Sequence, residues 1–533
     1  MTIASTPTTL HFRTATPRFL AFASALGAHL ALAALVLLAF SDLVTQPGST
    51  VAGHDMTQSF NWESFNRLAL SQGYLPWWNP YTLSGMPSLA DFQSQLAYPL
   101  NLPLRLLPVQ AFFTWGIALH VWIAASGVMA LCRVIGTGWL PAFIAGAGFA
   151  LGGVFAPRVH AGHLMLMYGW AWLPVALAVA IVSIRRRSWL PHPALPLVLT
   201  LQFLTGHLQT TIYVYAAVGA LFLYAWLRPS HGWSLQTLNW RPTSQWAITL
   251  ALLTGLAAFM LLPTIVLVKE LGRTAGLTYE AAARNSWDML HVLTLFAPEA
   301  MNSIRAEPND SVTGSHWERS AYCGALLALL APFGLLLARK HRWYAAFFGV
   351  LALVALAFAF GRNLPFFQLH YLVLPGLRHA ARILPLFSLS VVVLGALGLD
   401  ALLRRRQSRL SPVLVGLMAA EAIAIGVLGW LLHLDSGAPL AEVLGIGAWL
   451  LPIQLGGLTA LVLLPQHRGV PLVAATLLST LLIAELLLYD KPFIQARSIP
   501  DLRIVDRLLH RESVDRVVTN CDGVVQPNDM MAL

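Results

Sequence analysis

The residues best suited to chemistry in this chain stand in one polar stretch, Asp42 to about Gln110, directly after the first long apolar run. Its first motif is G-H-D-M-T-Q at Gly53–Gln58, with Asp55 at the centre. A carboxylate near a bilayer surface can take the proton of an acceptor hydroxyl as that hydroxyl attacks an activated sugar carbon. It can equally hold a divalent cation against a phosphate leaving group. A plainer role is also open, because Asp favours the start of a helix and residues 56–70 could form one. His54 and Gln58 flank Asp55 and are candidate substrate contacts. Asp91, in A-D-F-Q, is the second carboxylate of the stretch. It either orients an acceptor and holds the first base charged, or caps a turn.

Aromatic side chains are interleaved with these acids. Trp77, Trp78, Tyr81 and Tyr98 suit the lipid–water boundary as anchors, and Trp78 and Tyr98 equally suit stacking on a sugar face. Farther along, G-L-R-H-A-A-R-I-L-P places Arg378 and Arg382 four apart, on one face if the segment is helical. Two guanidinium forks there could clamp a phosphate, with His379 between them; otherwise they snorkel to headgroups. Arg158, His160 and His163 form another cluster in P-R-V-H-A-G-H. Its H-x-x-H alone is a weak metal signal, and hydrogen bonding of Arg158 and His163 to loop backbone or substrate is the stronger expectation. A single cavity shared by Asp55, Asp91 and Arg378 or Arg382 is the geometry these assignments require.

The elements that position these residues are membrane helices. The 533 residues are 57% apolar and 11% charged, with a mean hydropathy of +0.67. Apolar runs of about 18 residues or more recur throughout, each long enough to cross a hydrocarbon core. About thirteen are expected, near 19–41, 110–132, 138–154, 166–184, 193–205, 208–227, 246–268, 321–338, 343–361, 383–402, 411–433, 443–464 and 471–489. The first is too long for a signal segment and is expected to stay as a span. With the N-terminus inside, sixteen Lys and Arg, among them Arg133, Arg185–Arg187 and Arg404–Arg406, fall on the inner face with one acid, Asp400. Such bias in short loops sets orientation. The net charge of +10 therefore reflects membrane topology, and nucleic acid is not an expected partner.

That orientation leaves outer segments at 42–109, 269–320, 362–382 and beyond Tyr489, and any chemistry should lie in them. Phe60–Leu70 reads as a short helix on the membrane surface with Glu63 solvated. Glu421 and Glu485 fall within spans, where an acid is costly and faces protein or a cavity. They keep open a transporter or flippase for a lipid-linked oligosaccharide; a non-catalytic envelope-assembly partner is a further alternative. Cys132, Cys323 and Cys521 have no metal-ligand spacing, and a Cys323–Cys521 disulfide is compatible but not implied. There is no phosphate loop, dinucleotide fingerprint or G-x-S-x-G elbow, so no nucleotide cofactor is expected, while a divalent cation stays open.

The order of motifs resembles the YfhO-type bacterial membrane proteins of the GT-C class of integral-membrane glycosyltransferases. G-H-D-x-x-Q at Gly53–Gln58, P-W-W-N-P at Pro76–Pro80, G-M-P at Gly85–Pro87 and Y-P at Tyr98–Pro99 carry it, with G-H at Gly162–His163, A-W-L-P at Ala171–Pro174 and Gly376–Arg382. The resemblance implies an all-α polytopic fold of about thirteen transmembrane helices, with a long first extracytoplasmic loop bearing short surface helices. It implies a cytoplasmic N-terminal segment at 1–18, a transmembrane domain at 19–489 and a short extracytoplasmic tail at 490–533, a reduced or truncated counterpart of an outer domain in longer relatives. The implied setting is a bacterial inner membrane, the donor a sugar on polyprenyl phosphate and the acceptor an envelope glycan or polymer. It also implies Asp55 as the catalytic acid of the first loop, with Asp91 a less secure second. Arg378 and Arg382 as donor-phosphate contacts rest on charge rather than on the family pattern.

Overall fold

The structure is a computed structural model that describes residues 16–46, 49–51, 53, 55–80, 85–227, 239–270, 276–304, 316–404, 411–463, 470–494 and 497–498. His54, Tyr81, Cys521 and nearly all of the expected tail lie outside them. The architecture is all-α and polytopic. Among the described residues, eight helices have the length and composition to cross a membrane: 109–135, 164–185, 208–226, 241–269, 339–359, 380–403, 411–436 and 471–490. Shorter apolar helices occupy the remaining expected positions, at Ala23–Ala39, Trp139–Ala150, Ala194–Phe203, Ala325–Leu337 and Gly447–Leu463. The segment at 164–185 is divided at Trp172, where Leu164–Ala171 ends and Leu173–Arg185 begins with Pro174 in its first turn. Proline is tolerated there because the amide it lacks would be unpaired anyway.

The centre of the bundle is the pair Ala325–Leu337 and Leu384–Leu403, the second almost wholly buried. Lipid supplies no hydrophobic drive between helices, so close backbone approach through small residues does the packing. Gly395 lies against the Leu327 carbonyl, Gly398 against that of Leu330, and Gly334 against the backbone of Leu394. At one end of the bundle the short basic connections are stitched together. Asp400 accepts from the Gly138 amide at 2.6 Å and pairs with Arg404 at 2.7 Å, while Arg185 donates to the Val134 carbonyl at 2.6 Å.

The opposite end carries the polar stretch, and it is folded onto the bundle. Helix Met56–Ser71 buries Phe60, Trp62, Phe65 and Ala69, and with them Asn61 and Asn66. The Phe60 ring packs on Phe113 of Val109–Ile135. The expected helix is present, but Glu63 is not solvated: it is 4% exposed and pairs with Arg105 at 3.1 Å and Arg67 at 3.0 Å. Burial pushes its pKa up while Arg105 and Arg67 pull it down. Two short antiparallel ladders complete this face, Ser49–Thr50 with Arg497–Ser498 and Trp78–Asn79 with Met86–Pro87.

Glu485 is also a structural node. Tyr322 donates to it through its hydroxyl, Gln454 through Nε2 at 2.5 Å and the Ala325 amide at 3.3 Å. Glu421 is half-buried on Ser411–Ser436. Cys323 is fully buried as a free thiol.

Removing one partner of a buried pair strands the other charge, at a cost of about 3–5 kcal/mol. Glu63→Ala is therefore expected to lower the thermal midpoint of the detergent-purified protein well below that of Glu442→Ala at a surface acid; equal midpoints would reject the buried-staple role.

Candidate functional site

Asp55 is positioned by two strands of backbone lying directly on one another. Its amide donates to the Ala161 carbonyl at 3.2 Å. A side-chain carbon at Gly53 would overlap the backbone of Ala161 and Gly162, and one at Gly162 would overlap Met56. Gly162 also has φ +83, a left-handed value that glycine adopts without penalty. G-H-D and A-G-H are thus the two halves of one contact, which sets Asp55 beside His163.

The Asp55 Oδ2 atom lies 2.8 Å from Nε2 of His163. Asp55 precedes helix Met56–Ser71 yet makes no side-chain cap hydrogen bond, so the capping role expected as the plainer alternative is not the one it takes. Its side chain is 48% exposed and that of His163 13%. The carboxylate is therefore the reachable member of the pair. The other ring nitrogen of His163 is buried with no hydrogen-bond partner among the described residues. Gln58, on the first turn of the same helix, is partly exposed.

Beside this pair stands Glu318, on the short helix His316–Arg319, gripped by Arg382 through Nε–Oε1 and Nε–Oε2 contacts of 2.8 and 3.0 Å and an Nη2–Oε1 contact of 2.5 Å. Burial opposes ionisation of Glu318, but Arg382, and then His379 and His163, hold its carboxyl well below the ordinary range. Trp317 meets the His163 ring edge-on at 5.9 Å. Arg158 is completely buried and donates to the Gly153 and Val154 carbonyls at 2.9 Å, leaving Nε and Nη2 without partners among the described residues. Burial brings its pKa down to about 10, against the pull of Glu318. Arg158, His163, His379 and Arg382 thus converge around an acid that the sequence reading passes over. The readable signal was W-E-R at 317–319, three chemically rich residues together in the 269–320 segment.

Other expectations change. Arg378 and Arg382 do not share a helix face: only Ala380–Ile383 is helical, as a tight 3-10 turn, and His379 has φ +62. Arg378 is exposed, and its carbonyl accepts from Gln209 at 2.7 Å. Asn285 donates to Nδ1 of His379 at 2.9 Å, and burial together with Arg382 brings the His379 pKa down to about 4. Asp91 accepts from the Gln93 amide at 3.1 Å and lines a small crevice with Trp62, Asn79, Met86 and Ser88. Its turn-capping reading is the one observed, and it does not line the 410 Å³ cavity on this face. Tyr98 is fully enclosed, bonded to His120 Nε2 at 2.7 Å and to Trp172 Nε1 at 2.9 Å, and so anchors the polar stretch instead of meeting a ligand. Trp78 is 56% exposed, its ring packed over Gly85. Among the described residues, no three His, Cys, Asp or Glu side chains gather in a metal-ligating group.

Comparison with protein-family models gives no match, and neither does comparison with curated proteins. Among solved structures, the chain is similar to the arabinofuranosyltransferase AftD from Mycobacteria, at 16% identity and a TM-score of 0.44 over 79% of this chain. It spans 26% of that longer protein. It is also similar to ArnT from Cupriavidus metallidurans bound to undecaprenyl phosphate, at 14% identity and a TM-score of 0.40, over 89% of this chain and 78% of that one. These are partial overlaps of membrane folds and assign no residue. The YfhO-type resemblance stays one of motifs.

Two outcomes follow from the geometry. Gly53→Ala, which puts a methyl into the Ala161–Gly162 backbone, should lower the thermal midpoint, whereas Gly27→Ala, in open space on a helix, should not; a neutral Gly53→Ala would remove the contact from the account. Because the folded pKa of Glu318 is depressed, its pairing contributes fully above the ordinary carboxylate value and is lost only as pH falls through the lower folded value. The midpoint difference between wild type and Glu318→Gln should therefore persist from neutral pH down to about pH 5. A difference that vanishes on that descent would contradict the lock.

Proposed function

We propose that this chain is a membrane glycosyltransferase that moves a sugar from a polyprenyl-phosphate donor to an envelope glycan or polymer at the extracytoplasmic surface of a bacterial inner membrane. The observation that carries the reading is the Asp55–His163 pair: a half-exposed carboxylate held at 2.8 Å by an imidazole that is itself nearly buried. The orientation, N-terminus cytoplasmic and polar face outside, is supported by the basic bias of the short connections.

In this reading the acceptor hydroxyl gives its proton to Asp55 as its oxygen bonds to the anomeric carbon. The bond from that carbon to the phosphate oxygen breaks, and polyprenyl phosphate leaves with the electron pair. The proton rests on Asp55, which becomes a neutral carboxyl; before the transfer, His163 holds the carboxylate in place through Nε2. Arg378, exposed at the same face, meets the leaving phosphate, and buried Arg158 adds positive potential from beneath. Arg382 acts as a positioning residue through Glu318. Asp55 and His163 are the residues that would meet a divalent cation; one bound there would polarise the phosphate leaving group, and the proton transfer described does not require it.

Incubation with labelled polyprenyl-phosphate sugars and envelope acceptors tests the proposal. Asp55→Asn should lose about 10²-fold or more of the transfer rate, with the thermal midpoint little changed, since Asp55 makes no cap bond. His163→Asn should lose less. Comparable transfer by Asp55→Asn would sink the assignment of the base.

A further inference from the structure

Beside Trp317 lies a cavity of about 410 Å³. This is within the roughly 300–1,000 Å³ typical of small-molecule sites. The rings of Trp317, Tyr322, Tyr489 and Phe493 contribute to its walls. The hydroxyl of Tyr322 donates to Glu485, and that of Tyr489 is bonded to Ser320 at 3.0 Å. Tyr322 is almost wholly buried, so of these two it is the half-buried Tyr489, its hydroxyl engaged, that offers a ring face to an occupant. His160 and Asn302, both exposed, line the same space with no side-chain hydrogen-bond partner among the described residues. Their neutral donors and acceptors are available to a ligand.

The charge of the lining decides between ligand classes. Among the described residues no Lys or Arg contributes to it, and Glu299 does. A phosphate would meet the Glu299 carboxylate with no cation among these lining residues to offset it, which is unfavourable near a low-dielectric wall. A neutral polyhydroxyl ring meets what it needs, flat apolar faces for its C–H groups and neutral hydrogen-bonding groups at its rim. Two side chains stand between the cavity and the candidate base: Trp317 lines the cavity and meets the His163 ring, and His163 holds Asp55.

We propose that this cavity binds a neutral sugar ring of the acceptor glycan, apart from the ring whose hydroxyl Asp55 deprotonates, while the donor phosphate is held elsewhere. The proposal rests on the glycosyl-transfer reading for the role of its ligand, but its binding is measurable without turnover. The probes are methyl hexopyranosides and methyl pentofuranosides, followed by saturation-transfer NMR on the full chain in lipid nanodiscs, with polyprenyl phosphate as a separate ligand. The variants are Asn302→Trp, which fills the cavity from an exposed position, and His160→Ala, which removes a rim group without adding bulk.

At least one glycoside should bind the wild type. Both variants should weaken it by about tenfold, the scale of a lost neutral hydrogen bond with its contacts. Polyprenyl-phosphate binding and the thermal midpoint should be unchanged, and in the transfer assay the acceptor KM should rise while the donor KM stays the same. If Asn302→Trp weakens polyprenyl phosphate instead, the cavity holds the donor lipid and the proposal is overturned. It is overturned as well if no glycoside binds the wild type, or if both variants bind as the wild type does. Glycoside binding that the variants weaken, in a protein that transfers no sugar from any donor, would retain the cavity assignment and reject the glycosyltransferase reading.

Discussion

The candidate site depends on a steric condition: two backbones touch where neither can carry a side chain. Gly53 lies on Ala161–Gly162, Gly162 lies on Met56, and the Asp55 amide bonds the Ala161 carbonyl. The contact joins a segment just after the first helix to one between the third and fourth apolar helices. Because both partners are backbone, the register is fixed to within a fraction of a residue. The carboxylate of Asp55 and the imidazole of His163 meet because their neighbours are glycines.

Other acids of the chain serve as staples. Glu63 ties the first loop to Arg67 and Arg105, Glu318 ties one loop to another through Arg382, Asp400 ties the basic connections, and Glu485 ties three apolar helices. Buried pairs of this kind add little net stability compared with apolar packing, yet are costly to break. In an α-helical membrane bundle, where apolar side chains face lipid and protein alike, they specify which loop docks where. Asp55 differs from all of them in its exposure, 48% against 4% for Glu63 and 2% for Glu318. That difference separates a group that can meet a substrate from groups that hold the frame.

Much of the frame was legible in the residues. Apolar periodicity marked the helix positions, since lipid demands long unbroken runs and tolerates little else. The helix after Asp55 was visible as well, and G-H-D and A-G-H each stood out as a chemically rich loop, but nothing in their spacing paired them. The burial of Glu63 was not, because its partner Arg105 is 42 residues away and helical periodicity reports only local neighbours. Tyr98 read as an interface ring, yet two buried groups, His120 and Trp172, close over its hydroxyl and face. Arg378 and Arg382 read as one helical face because four-residue spacing is ambiguous until the backbone is known. Trp317 and Glu318 drew no notice, since their meaning lies entirely in the distant residues they touch.

The ladder between Ser49–Thr50 and Arg497–Ser498 has a consequence for biogenesis. The loop that carries Asp55 leaves the ribosome early, but its neighbours arrive in instalments: His163, then Trp317 and Glu318, then Arg382, and last the strand at 497–498. A nascent chain therefore holds its most reactive segment unfinished until residues 497–498 have emerged. Closure of that ladder after helix Val470–Asp490 inserts would mark the moment at which these parts of the extramembrane face become a single surface.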